Sequence, residues 1–242
     1  DRVRGELRWA GTENPVHALA ETELRGWLEL PMARAATTFV HVCRDPFADG
    51  TDLVVDTFVE RFATTGKRLR VIVPKATDSA LAMLRERASR AAHLVEVLVA
   101  PFAPEHVLDA AAIVMPFRKF DGSRELVQAL ASGRPVCVSR FHQTAAILEG
   151  RSVVHAIGGR NVREHAEHGA FFAPHPLAIM GTMAAAAAEP AESATGLRGR
   201  HHTIAELTRA RPALPPPALS RLGDHRPVVV LEAPILETSS SA

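Results

Sequence analysis

Short continuous apolar runs alternate with amphipathic segments from residue 37 onward, and this alternation constrains the fold more than any other feature. The stretch 111–140, AAIVMPFRKFDGSRELVQALASGRPVCVSR, shows one full period: an apolar run ending at Pro116, a basic loop, a helical segment ending at Gly133, and a second apolar run. Strand, loop, helix and strand in this order form a βαβ unit. Because the runs are continuous, we expect helices on both faces of the sheet. The sequence therefore predicts a doubly wound, mostly parallel α/β fold.

The rhythm extends over residues 37–210, which we interpret as one domain. The predicted strands are 38–42, 69–73, 94–99, 113–115, 136–138 and 153–157, with a Gly-Gly turn after the last. The first predicted helix begins near residue 51, where Thr51 or Asp52 can form the cap. The other predicted helices are 78–92, 104–111, 123–133, 144–148, 177–188 and 203–210.

Two segments flank this domain. Residues 1–36 are a predicted helical lead with an amphipathic stretch at 15–30, and residues 211–242 are a Pro-rich linker and tail. The run at 227–231 predicts a strand that either joins an edge of the sheet or begins another domain. Because the chain starts with Asp1 rather than Met, we expect it to be a processed product or a piece of a longer protein.

Composition excludes several classes of function. The formal net charge is +1, there is no Tyr, and aromatic residues make up 5%, which argues against nucleic-acid binding. The longest apolar helical segment, 177–188, is too short to cross a membrane. Cys43 and Cys137 lie in or beside predicted strands and are interpreted as core residues, which fits a reducing cytoplasmic location.

The predicted sheet places positive charge at one edge. If the first and fourth strands are neighbours, Arg44 leaves one of them and Arg118 and Lys119 leave the other, next to the backbone amides of 122–125. Cations and helix amides together suit a diphosphate. The alternative is that these side chains are ordinary solvated loop cations.

The same stretch resembles a known family. AIVMPF…DGSRELVQALASGRPVCVS is similar to the donor-binding half of GT-B-type retaining glycosyltransferases, the family of sucrose and glycogen synthases, with the closest match at ALASGRPV, residues 129–136. GAFFAPHP, residues 169–176, resembles the closing strand and loop of that family. The resemblance implies a single Rossmann-like GT-B half with a helical N-terminal lead and a Pro-rich C-terminal tail.

The resemblance also implies a set of binding residues. Arg44 matches a phosphate-binding arginine and Gly50 the glycine of a Lys-Gly pair, whose lysine is replaced by Asp49. If Asp49 points into the site, this reversal of charge costs on the order of 2–8 kcal/mol of phosphate binding. The donor- and phosphate-binding residues predicted in this way are Arg44, Gly50, Arg118, Asp121, Gly122, Ser123, Arg124, Glu125 and Gln128.

Two family carboxylates are replaced. Gln128 stands where the second glutamate would hold the ribose hydroxyls, and the first glutamate falls on Phe120 unless a one-residue deletion lets Asp121 replace it. The implied function is transfer of a hexose from a nucleotide-diphosphate sugar to an unknown acceptor, without metal or cofactor, together with an adjoining acceptor-binding domain. The alternative is an inactive Rossmann-like interaction domain, which Asp49, Phe120 and Gln128 favour. We assign no catalytic residue.

Other motifs are weak or absent. Glu164-His165 and Glu167-His168 have a spacing that can hold a metal, although a solvated polar turn is the simpler interpretation. Neither a Gly-x-Ser-x-Gly elbow, nor a Gly-x-Gly-x-x-Gly fingerprint, nor a phosphate-binding loop occurs, which disfavours hydrolases, dehydrogenases and nucleotide triphosphatases.

Overall fold

A parallel β-sheet forms the centre of the molecule. The computed structural model describes residues 21–31, 36–119, 123–140, 154–189 and 194–209. The main sheet contains six parallel strands in the order β3-β2-β1-β4-β5-β6. Their bounds are β1 Thr38–Val42, β2 Arg68–Ile72, β3 Val95–Leu98, β4 Ala110–Met115, β5 Val136–Ser139 and β6 His155–Ile157. The doubly wound α/β fold is therefore confirmed, and β1 and β4 are neighbours.

The helices cover both faces of this sheet. Their bounds are α1 Glu21–Leu28, α2 Thr51–Arg61, α3 Asp78–Ala88, α4 Ser123–Ala131, α5 Pro176–Ala188 and α6 Ala194–Arg209. Residues 89–91 and 104–107 form short 3-10 turns. One apolar cluster lies between the sheet and α1 and α4, and a second lies between the sheet and α2, α3 and α5. Each residue of β1 and β4 is buried, because alternate side chains point to opposite faces of the sheet and helices cover both faces.

Several predicted boundaries are wrong. The helix expected at 104–111 ends at Val107, because Ala110 and Ala111 extend β4. The helix expected at 203–210 begins earlier, at Ala194. Gly50, rather than Thr51 or Asp52, caps α2, with a φ of 68°. The helix expected at 144–148 and the strand expected at 227–231 lie outside the described residues.

The lead helix α1 contributes to the main core. Leu24 and Trp27 are buried, and the ring of Trp27 packs against Phe102 with 4.6 Å between centroids. The guanidinium of Arg124, on α4, contacts the Glu23 carboxylate at 2.7 Å. The C-terminal part of the lead segment thus packs as one layer with α4.

Two arginines satisfy carbonyl groups near the C-terminal end of α4. Arg134 is 2% exposed and donates to the carbonyls of Pro31, Val107 and Leu108. Arg200, on α6, donates to the carbonyls of Leu30, Ala131 and Ser132. The last carbonyls of a helix have no intrahelical partner and carry partial negative charge, so cations stabilise them. The residues after α4 therefore serve packing.

A two-stranded antiparallel hairpin lies apart from the main sheet. It pairs β7, Gly159–Val162, with β8, Phe171–Pro174. The prediction of a simple Gly-Gly turn after β6 is wrong, since Gly159 begins β7. The 159–174 segment returns to the carboxyl edge of the main sheet, where the Phe172 amide donates to the Arg118 carbonyl at 2.9 Å.

Among the described residues, no helix combines the length and hydrophobicity needed to cross a membrane.

Candidate functional site

The loop between β1 and α2 is organised around a buried carboxylate. Asp49 is 1% exposed, and its Oδ2 accepts hydrogen bonds from the backbone amides of Arg44 at 2.6 Å and Asp45 at 2.9 Å. Asp45 in turn accepts from the amide of Ala48 at 2.7 Å. The residue in place of the family lysine thus points into its own loop, where hydrogen bonds compensate its burial.

The loops after β1 and β4 meet, as the sequence predicted. The amides of Arg118 and Lys119 both donate to the carbonyl of Ala48, at 2.7 and 3.1 Å. Gly50 lies against the end of β4, and a Cβ added there would come within 2.3 Å of the Pro116 carbonyl oxygen. In the described structure, Gly50 therefore allows the two loops to approach each other.

Arg44 lies between two carboxylates. Its Nη2 is 3.3 Å from Oδ1 of Asp49, and its Nη1 is 3.5 Å from Oε2 of Glu125 in the first turn of α4. The side chain of Arg44 is 26% exposed and that of Glu125 is 15% exposed. The structure thus brings a cation from β1 to the start of α4, but pairs it with acids of the chain itself.

The Arg118 side chain is held by an ion pair with short hydrogen bonds. Its guanidinium makes a bidentate contact with Asp52 at 2.6 and 2.7 Å, donates to the Phe47 carbonyl, and lies 4.7 Å from the centroid of the Phe47 ring. Two parallel charge-assisted hydrogen bonds are among the strongest contacts between side chains. Arg118 therefore carries an ion pair that links the β4 loop to α2.

The remaining predicted residues are distributed around α4. Ser123 begins the helix. The side chain of Arg124 contacts Glu23 on α1 and so points away from the site around Arg44. Gln128 is 6% exposed on the buried side of the helix. Asp121 and Gly122 lie outside the described residues.

The edge is less positive than the sequence led us to expect. Among the described residues, the charged side chains of the two loops and the first turns of α2 and α4, apart from Arg124, are three cations and four carboxylates: Arg44, Arg118 and Lys119 against Asp45, Asp49, Asp52 and Glu125. The expectation of a cationic notch is therefore corrected. The reading of all three cations as solvated is also wrong, because Arg44 and Arg118 are half-buried and paired while Lys119 alone is exposed.

Aromatic rings from the hairpin segment cover part of this edge. The ring of His168 stacks on Phe47 with 3.4 Å between centroids, and Phe171 packs edge-on against Phe47 at 5.2 Å. His165 stacks on His168 at 5.0 Å. Within the described ranges, no group of three or more metal-binding side chains occurs. The two histidines predicted as a weak metal motif thus form part of an aromatic cluster.

A buried histidine connects β1, β4 and α2 beneath the loops. His41 is fully buried, with Nδ1 at 2.7 Å from the Val114 carbonyl and Nε2 at 2.8 Å from the Thr51 hydroxyl. A carbonyl oxygen only accepts, so Nδ1 carries the proton, and in the neutral ring Nε2 accepts from Thr51. Burial lowers the pKa of His41. The neutral ring is therefore a structural link.

The cysteines are buried, as predicted. Burial raises the pKa of the Cys43 thiol to about 11 and that of the Cys137 thiol to about 12. Both thiols are therefore protonated at neutral pH, which is typical of core cysteines.

Sequence reasoning missed the partners of the predicted cations. Asp52 was considered only as a helix cap, although it binds Arg118, and Phe47 was not singled out. Asp52 and Arg118 are 66 residues apart. A first-turn aspartate is a recognisable signal for a charged helix start, but the identity of its partner depends on strand order.

The structure is similar to solved glycosyltransferases. A scan of protein-family models and a search of curated protein sequences find no match to the chain. TarM is 13% identical with a TM-score of 0.53, over 74% of this chain and 34% of that one. A glycosyltransferase from Rickettsia africae ESF-5 is 8% identical with a TM-score of 0.56, over 78% of this chain and 48% of that one.

One similar structure is an isolated domain. The C-terminal domain of a glycosyl transferase group 1 family protein, LpcC, from Francisella tularensis is 14% identical with a TM-score of 0.50, over 81% of this chain and 98% of that one. This chain spans only about a third to a half of the longer structures. At these identities the likeness concerns the fold, which is that of a GT-B C-terminal half, as the sequence resemblance predicted.

Proposed function

We propose that this chain is the donor-binding half of a GT-B-type glycosyltransferase. It binds a nucleotide-diphosphate sugar at the carboxyl edge between β1 and β4, and the whole protein transfers a hexose from that donor to an acceptor. An adjoining domain binds the acceptor and completes the cleft. Arg44 and the N-terminal turn of α4 stabilise the departing nucleoside diphosphate, with no requirement for a metal or another cofactor. A cytoplasmic location is part of this proposal.

The topology supports this assignment. In open α/β sheets, ligands bind outside the carboxyl ends of the strands, where the chain order reverses. Here the order reverses between β1 and β4, and the loops that leave these strands hydrogen bond to each other through Ala48. Several solved proteins with a similar fold are described as glycosyltransferases.

One observation carries the proposal: the contact between Arg44 and the first turn of α4. The guanidinium reaches Glu125 at 3.5 Å, although the two residues are 81 positions apart in the chain. A cation that faces the N-terminal turn of a helix is suited to bind the phosphates of a leaving nucleoside diphosphate. We therefore assign Arg44 as the side chain that binds phosphate, rather than Arg118, whose guanidinium is paired with Asp52.

Isothermal titration calorimetry with UDP and GDP tests this assignment. We expect binding of at least one nucleotide, and Arg44→Ala should weaken it about 10- to 100-fold, since a hydrogen bond to a charged group contributes roughly 1.5–3 kcal/mol. Arg90→Ala is the matched control, because Arg90 is exposed and lies near the opposite edge, before β3.

Two results would contradict the proposal. The wild-type chain could give no heat with either nucleotide at millimolar concentration, which would favour the non-catalytic interaction domain. Alternatively, Arg44→Ala and Arg90→Ala could have equal effects, which would place the phosphates elsewhere.

A further inference from the structure

We propose that Glu125 acts as a built-in competitor of the donor phosphate, so that the donor binds by displacing this carboxylate from Arg44. This inference rests on the proposed function, since it concerns the same edge of the sheet. It assigns to Glu125 a competing role, which is opposite to the binding role expected from the sequence.

The position of Glu125 supports competition. It is the third residue of α4 and lies in the turn whose backbone amides and dipole attract anions. Its carboxylate is 3.5 Å from Nη1 of Arg44, the cation assigned to phosphate. An anion supplied by the chain thus occupies the region in which a phosphate group would be bound.

The contact made by Glu125 is weak. Oε2 of Glu125 is buried and accepts no hydrogen bond from the described residues, and its 3.5 Å distance to Arg44 lacks hydrogen-bond geometry. A buried charged oxygen without a hydrogen bond is unfavourable. A phosphate oxygen can instead accept charge-assisted hydrogen bonds of about 2.7–2.9 Å from a guanidinium. Exchange of the carboxylate for a phosphate therefore improves the pairing of Arg44.

The other three carboxylates are poor candidates for displacement. Asp49 accepts two loop amides and Asp45 accepts a third, so both hold the loop in shape. Asp52 holds Arg118 by two short hydrogen bonds. Of the four acids, Glu125 alone has a purely ionic contact in the described structure. The displacement is therefore assigned to this residue.

The test measures the affinity of Glu125→Gln for UDP and for inorganic pyrophosphate by calorimetry. Glutamine keeps the length of the side chain and removes the charge, and circular dichroism with thermal melting verifies that the variant is folded. Glu86→Gln is the matched control, because Glu86 is exposed in α3. Pyrophosphate reports on the anion site independently of the base and the sugar.

We expect Glu125→Gln to bind both probes about tenfold more tightly than wild type, whereas Glu86→Gln should not differ from it. The gain should shrink as salt is raised, because screening weakens the repulsion that was removed. It should also disappear in an Arg44→Ala background, since the two side chains act on the same phosphate.

The outcomes separate this inference from the proposed function. If wild type binds UDP and Glu125→Gln binds it equally or more weakly, the inference is overturned and the proposed function stands. Weaker binding by the variant would make Glu125 a positioning residue for Arg44. Binding by the variant alone overturns the inference together with the proposed function, because the donor then cannot displace the carboxylate in the natural chain. Absence of binding by both proteins overturns both proposals.

Discussion

At the scale of single residues, the shape of the loop after β1 depends on Asp49 and Gly50. Asp49 binds the amides of its own loop, and Gly50 adopts a φ of 68° against the carbonyl of Pro116. A side chain at Gly50 would force the β1 and β4 loops apart. These two residues therefore shape the edge at which Arg44 contacts the first turn of α4.

Replacing Gly50 by alanine should destabilise the chain strongly. The left-handed conformation costs a non-glycine residue roughly 1–2 kcal/mol, and the clash with Pro116 adds about 1–3 kcal/mol, so we expect a total loss of about 2–5 kcal/mol. Urea unfolding followed by circular dichroism measures the free energy of unfolding.

Gly66→Ala is the control for this change. Gly66 has a φ of 71° but no atom within 4 Å of an added Cβ, so only the conformational cost of about 1–2 kcal/mol applies. Equal losses in the two variants would show that the close approach of Gly50 to Pro116 is unimportant.

At the scale of elements, residues 129–136 contribute to the packing of α6 against α4. Gly133 has a φ of 72° after the last turn of α4, and Arg200 lies over it. Gly196, on α6, is so close to the carbonyl of Gly133 that an added Cβ would be 2.1 Å from its oxygen. This stretch thus ends α4 and accepts α6 as a close neighbour.

Gly196→Ala should therefore reduce the free energy of unfolding by about 1–3 kcal/mol, since α6 has to move away from α4. Gly181→Ala is the matched control in α5, where an added Cβ meets nothing within 4 Å. That change should instead stabilise the chain by roughly 0.5–1 kcal/mol, because alanine loses less backbone freedom than glycine in a helix. A stabilising effect of Gly196→Ala would contradict the contact between the helices.

At the scale of the whole molecule, β1 connects the core to the candidate site. The strand is buried on both faces and lies between β2 and β4, and His41 at its centre binds β4 on one side and α2 on the other. A buried neutral histidine in this position couples the stability of the entire sheet to pH.

The free energy of unfolding should fall as the pH is lowered below about 6.5. Burial lowers the pKa of folded His41 below its ordinary value of 6.5, so the unfolded chain takes up a proton that the folded chain excludes. The loss from this one group approaches about 1.4 kcal/mol per pH unit until the pH reaches the pKa of the folded state. Above pH 6.5 this contribution to stability is fully present.

Urea unfolding at several pH values between 5 and 8 measures this dependence. His41→Gln should show a shallower slope below about pH 6.5 than the wild-type chain, since glutamine does not titrate. His93→Gln is the control for the exchange of histidine for glutamine at an exposed position. Equal slopes for wild type and His41→Gln would contradict the assigned role of the buried ring.

The sequence alone determined the fold class and most strands of the main sheet. Continuous apolar runs and glycine stops are local signals, and β1, β2, β3 and β5 are found within a residue or so of the predicted positions. The adjacency of the Arg44 and Arg118 loops also followed, because the order of parallel strands in doubly wound sheets obeys general rules. The boundary of β4 was missed because Ala110 and Ala111 suit a helix as well as a strand.

Only the tertiary structure decided how the charges are paired. Asp52 meets Arg118 and Glu125 meets Arg44 across 66 and 81 positions of chain, so no local pattern predicts these partners. The direction of Asp49 was likewise decided by the turn of its loop, which offers two amides to a buried carboxylate. Periodicity in a sequence reports which face of an element is buried, whereas the pairing of ions depends on which loops the folded sheet brings together.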